Sequence, residues 1–157
     1  MNMQPETVLK ELENAFYIYF KLITKKNLKI DEKLSMTHSE LEILSVVDKT
    51  KNCSITDIAR QSDMTLAGAS LYVTKLEKKG VVNKNKSPLK KSQAVVTLTR
   101  LGKKACKVHA EYHARHNGKI LDFLRSLDSD DLQKSNAFAE SITQWIESFY
   151  EESMKRR

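Results

Sequence analysis

His109, His113 and His116 fall at i, i+4 and i+7 of one stretch, so on a helix they share a side. The spacing of His109 and His113 lets imidazoles from successive turns reach a single metal ion. The same stretch carries an apolar stripe, Leu101, Ala105, Val108 and Tyr112, which the histidines flank. Two readings therefore stand: a metal pair, or the polar rim of a packed face, where histidine is common. A metal would in principle allow assisted hydrolysis. The chain has no Gly-rich phosphate loop, no nucleophile elbow and no paired histidine–glutamate metalloprotease motif. No enzyme is expected.

A second group of residues suits a different chemistry. In "MTLAGASLYVTKLEKKG", residues 64–80, helical spacing turns Ala69, Tyr72, Val73 and Leu76 inward. That leaves Thr65, Gly68, Ser70, Leu71, Thr74 and Lys75 on the outer face. Small and hydroxyl side chains let a helix approach base edges in the major groove of DNA, with apolar atoms available for thymine methyls. The chain then runs into "VVNKNK" and "AVVTLT", two strand-like segments separated by "SPLKKS". Pro88 stops the ladder, and Lys90 and Lys91 at the tip can meet flanking phosphates or the minor groove.

Charge is distributed in blocks. The formal net charge is +7, and from Lys75 to Lys107 there are eleven lysines and arginines against one acid, Glu77. The C-terminal part reverses this, with Asp122, Asp128, Asp130, Asp131, Glu140, Glu147, Glu151 and Glu152. One basic functional face on an ordinary surface fits this pattern, and an anionic partner follows from it. The plainer reading is a solvated lysine-rich face.

The elements that must position these residues have legible ends. Residues 5 to 26 form a first helix with Val8, Leu12, Ala15, Phe16, Tyr19 and Ile23 on one face. "THSE" is a capping box, Thr37 with Glu40, opening a helix that carries Leu41, Leu44, Ser45 and Val47. "SITDIARQ" repeats the device with Ser54 and Asp57 and buries Ile58 and Ala59. Thr65 caps a fourth helix, ended by Gly80. Thr99 caps a long helix from Arg100 to Ser126, and a last helix runs from Asp130 to Glu152 with Leu132, Phe138, Ile142, Trp145, Ile146 and Phe149. The fold class expected is mainly α with a small β-hairpin wing: a winged helix-turn-helix plus a helical dimerisation region.

At 157 residues, with four glycines and two prolines, one helix-dominated domain is expected. No apolar run approaches the roughly 18 residues of a membrane span, and the charged N-terminus does not resemble a signal peptide. The isolated Cys53 and Cys106 suit a reducing cytoplasm and read as small packed or half-exposed residues.

"SITDIARQSDMTLAGASLYVTKLEKKGVV" followed by "VTLTRLG" resembles the MarR family of bacterial transcription factors, and the resemblance covers nearly the whole chain. It implies one MarR-like domain over 1–157, a DNA-binding lobe over 35–99, and dimerisation helices in 1–34 and 100–157. It implies a homodimer on an imperfect palindrome in double-stranded DNA, commonly as a repressor released by a small ligand. A protein-interaction adaptor using the same fold is the alternative class.

The resemblance also bears on the site residues. The family's wing usually carries Asp-x-Arg, where this chain has Lys90, Lys91 and Ser92, and Lys84 stands where an arginine is common. Lysine is a point charge without the planar fork, so the wing is expected to bind backbone. Zinc-responsive members use histidines of the long helix with a residue of the second helix, which here is Glu42, giving Glu42, His109 and His113 as the metal candidates. "HAEYH" with "DIARQSDMTLAGAS" is also similar to the fatty-acid synthesis repressors, which respond to acylated carrier protein. Zinc and an acyl or other small apolar effector both remain open. Peroxide-sensing members carry a cysteine in the first helix, and this chain has none there.

Overall fold

The computed structural model describes residues 4–25, 27–86 and 94–155. The order is α1 (Pro5–Lys25), β1 (Leu28–Lys29), β2 (Ser35–Met36), α2 (His38–Lys49), α3 (Ile55–Gln61), α4 (Leu66–Lys78), β3 (Val82–Lys86), β4 (Ala94–Leu98), α5 (Arg100–Ser126) and α6 (Ser129–Lys155). Two compact units are resolved, residues 1–112 and 113–157. The last helix begins at Ser129 and runs to Lys155, slightly longer than the sequence suggests. The expected hairpin tip, with Pro88, Lys90 and Lys91, lies outside the described residues.

In the first unit the helix starts are held by reciprocal caps. Thr37 Oγ1 accepts from the Glu40 N–H, and Glu40 Oε2 accepts from the Thr37 N–H at 2.9 Å. Ser54 and Asp57 do the same for α3, and the Ser54 hydroxyl also donates to Asp57 at 2.6 Å. These bonds satisfy amide donors that a helix start otherwise leaves orphaned. The end of α4 is equally defined. The Val81 N–H donates to the Leu76 carbonyl and the Gly80 N–H to that of Glu77, with Gly80 at φ 71°. This is a Schellman closure, and its hydrophobic pair is Leu76 with Val81, both fully buried.

The core is continuous through α2, α3, α4 and the hairpin. Met36, Ile43, Leu44, Ile58, Val73, Leu76, Val81, Val82 and Val96 are among its buried members, and Ala105 of α5 joins it. Strands β3 and β4 pair antiparallel from Val82 opposite Leu98 to Lys86 opposite Ala94. The hairpin is tied to the α2–α3 connection, because the Val96 N–H donates to the Cys53 carbonyl at 2.8 Å. Sequence periodicity did not reveal the short arm of β1 and β2, which pair Leu28 with Met36 and Lys29 with Ser35. Its turn is closed by Asp31, whose carboxylate accepts from the Lys33 and Leu34 amides at 3.0 Å. Helix α1 buries no residue completely.

The second unit holds the C-terminal part of α5 and all of α6. Asp128 starts α6, its carboxylate accepting from the Asp131 N–H at 2.8 Å. Trp145 and Phe149 stack edge-to-face with ring centroids 5.2 Å apart. None of the described α6 residues is buried.

Candidate nucleic-acid interface and histidine cluster

Helix α4 begins on Thr65, whose hydroxyl oxygen accepts from the Gly68 N–H at 3.1 Å. A side chain at Gly68 would crowd that oxygen, at 3.2 Å from an added Cβ. Ala69, Val73 and Leu76 are buried, and Tyr72 packs partly against the core. Thr65, Leu71 and Lys75 are exposed, and Gly68, Ser70 and Thr74 are half-buried. Leu71 is 73% exposed and Leu66 57%. Leu66 and Ala67 were not on the sequence-derived face. Their position just after the cap was the available signal, since the first turn of a recognition helix points at the bases.

Three residues of the expected DNA-binding set, two on α4 and one on the wing, have their polar groups engaged within the chain. The Lys75 ammonium sits 3.0 Å from Glu40 Oε1. The Thr74 hydroxyl donates to the Ser70 carbonyl and accepts from Lys84 Nζ, both at 2.9 Å. Lys84 also pairs with Glu77 at 3.3 Å, and its backbone N–H donates to the same carboxylate. The reason is tertiary: β3 lies beside α4, so acids of the first unit reach bases that linear spacing left outward. Lys90 and Lys91 are outside the described residues.

Glu40 is the centre of one such network. Its burial opposes ionisation, but Lys79, the Thr37 N–H and Lys75 outweigh that and hold its pKa below the ordinary carboxylate value. Lys79 Nζ lies 2.7 Å from Oε2 and also donates to the Ser35 carbonyl at 3.1 Å.

The histidine cluster differs in membership from the sequence reading. Glu42 and His109 do come together, with Glu42 Oε1 3.8 Å from His109 Nε2. The third member is His38, whose Nε2 is 4.0 Å from the same oxygen and whose ring lies edge-on to His109 with centroids 6.2 Å apart. One ligand atom from each of His38, Glu42 and His109 falls within 4.8 Å of the others. His113 belongs to the second unit and is not in this group. His38 follows the Thr37 cap and stands at i, i+4 with Glu42 on α2, a spacing that could have flagged it. Beside the cluster, an open hollow of about 440 Å³ is lined by His38, Glu42, Ile43, Val46 and Met64, among others.

Neither cysteine has the environment of a reactive thiol. Burial, helped by Asp57, pushes Cys53 up to about 11, and burial with Asp48 does the same for Cys106.

Residues 36–89, from the arm through the helix-turn-helix into the hairpin, match the MarR family. Over these residues the chain is similar to the MarR family. MarR members are transcriptional regulators and not enzymes. The chain is 27% identical over 127 residues to the uncharacterized HTH-type transcriptional regulator YhjH of Bacillus subtilis, covering 80% of this chain and 73% of that one. Among solved structures it resembles the zinc-responsive MarR member ZitR of Lactococcus lactis in complex with DNA, with a TM-score of 0.74 at 13% identity over 92% of this chain and 99% of that one. FabT of Streptococcus pneumoniae in complex with DNA gives 0.67 at 16% identity, over 92% of this chain and 95% of that one. The adhesin competence repressor of Streptococcus pyogenes gives 0.68 at 19%, over 92% and 99%. At these identities the likeness establishes the fold. The MarR scaffold is a winged helix, and no helix among the described residues is long and apolar enough to cross a membrane.

Proposed function

We propose that this chain is a sequence-specific DNA-binding repressor that acts as a homodimer on a palindromic operator. The observation that carries the reading is the outer face of α4: a capped helix start bearing exposed Thr65, Leu66 and Leu71, with a basic hairpin beside it. The dimer reading rests on apolar side chains that the chain leaves uncovered, including Phe20 of α1 and Phe149 of α6. Under it, residues 35–99 form the DNA-binding lobe, and 1–34 with 100–157 supply the dimerisation helices. DNA partners of structural neighbours support the same assignment.

Selection of bound fragments from genomic DNA tests it. A palindrome with half-sites about one helical turn apart is the expected result. Failure to retard any DNA at low salt would favour the adaptor alternative. Lys90→Ala and Lys91→Ala should weaken all sequences alike and reduce the salt slope by about one counterion per contact.

The effector proposed is zinc. Two imidazoles and a carboxylate within ligand distance of one another suit a zinc ion with an open fourth position. His38, Glu42 and His109 would hold it, joining the first turn of α2 to α5. A metal shifts DNA affinity only if it binds one arrangement of the lobe better than another. Calorimetric titration with zinc, with and without His38→Ala and His109→Ala, checks the site, and DNA binding with and without chelator checks its effect. If zinc binds the double variant as tightly as the parent, the acyl-ligand reading takes its place.

A further inference from the structure

Glu40 is 0% exposed, although a capping carboxylate has no need of burial. Its counterpart on α3, Asp57, performs the same capping with its side chain 31% exposed and one arginine, Arg60, at 3.2 Å. Glu40 instead draws in two ammonium groups, Lys79 at 2.7 Å on Oε2 and Lys75 at 3.0 Å on Oε1. Lys75 lies on α4 and Lys79 caps its C-terminus, so one buried carboxylate holds the recognition helix from below at two points one turn apart.

We propose that Glu40 is a specificity-determining residue for DNA recognition, acting as a positioning residue on α4. The proposal rests on the DNA-binding reading above. A lysine paired to a buried carboxylate is withheld from phosphates, and phosphate contacts supply the sequence-independent part of binding. By withholding Lys75 and Lys79, Glu40 suppresses that part. By fixing the roll of α4, it keeps Thr65, Leu66, Ser70 and Leu71 turned toward base edges. Discrimination between operator and random DNA gains from both effects.

The test compares Glu40→Gln with the parent full-length chain on the selected operator and on random-sequence DNA across a salt series. Glutamine retains the capping-box hydrogen bond, so α2 keeps its start. The expected result is tighter binding to random DNA, a salt slope steeper by roughly one to two counterions per protomer, and an operator preference reduced by about tenfold. An unchanged slope and preference in a folded Glu40→Gln chain overturns the proposal. Should that variant not fold, Lys75→Gln serves: the slope should stay unchanged, and a slope lower by about one shows that Lys75 already touches phosphate and also overturns it. If the parent chain retards neither DNA, the DNA-binding reading itself falls.

Discussion

A Cβ at Gly102 would lie 2.0 Å from the Val81 carbonyl oxygen. That oxygen already accepts the Thr99 N–H at 3.0 Å, and the Thr99 hydroxyl donates to the neighbouring Gly80 carbonyl at 2.7 Å. The end of α4 and the start of α5 are thus joined through Gly80, Val81, Thr99 and Gly102, with no room for a side chain at Gly102.

Gly102→Ala should therefore destabilise the chain by about 3 kcal/mol, the upper end of the usual cost of overpacking. Backbone must move, since the crowded atom is a carbonyl oxygen and not the flexible end of a side chain. Urea denaturation followed by circular dichroism measures it. An unaltered midpoint would mean that the α4–α5 joint is looser than described.

Leu71 should read thymine. At 73% exposed it has little folding role to lose, so Leu71→Ala should leave stability within about 0.5 kcal/mol. Operator affinity should fall by about 1 kcal/mol where a thymine methyl is buried. Replacing thymine by deoxyuridine, base by base, should reproduce that loss in the parent and add nothing in the variant. Additive losses would place the methyl contact on another residue.

Dimer and fold should be inseparable. Phe20 is 64% exposed and α1 buries no residue completely, so the unpartnered helix is poorly supported. Phe20→Asp should lower the apparent melting temperature and make it more dependent on protein concentration. A monodisperse, folded parent monomer at micromolar concentration in light scattering contradicts this.

Oxidants should not act through the thiols. With Cys53 and Cys106 raised to about 11, both stay protonated at neutral pH, and the thiolate forms only as pH climbs toward that value. Iodoacetamide labelling at pH 7 should be slow in the native chain and fast in denaturant. Fast native labelling at Cys106, the less buried of the two, would reopen a redox role.

Sequence alone determined the features whose partners lie within a few residues. The boxes at Thr37–Glu40 and Ser54–Asp57, the cap at Thr65 and the glycine closure at Gly80 each join residues three to five apart, so local spacing exposes them. The buried stripe of α4 was legible for the same reason, because helical periodicity needs no knowledge of what covers it. Together these features carried the winged-helix reading.

Tertiary structure decided where charge is spent. Lys75 counts as outward on a helical wheel, yet the wheel contains no Glu40, which arrives from α2. Lys84 and Thr74 find each other only because β3 runs beside α4. His38 joins Glu42 and His109 only in the folded chain, where His109 of α5 comes beside the first turn of α2. Attraction between opposite charges and the sharing of a ligand position depend on distance in space. Sequence separation carries no information about that distance beyond a few turns, so the polar network became visible only in the folded chain.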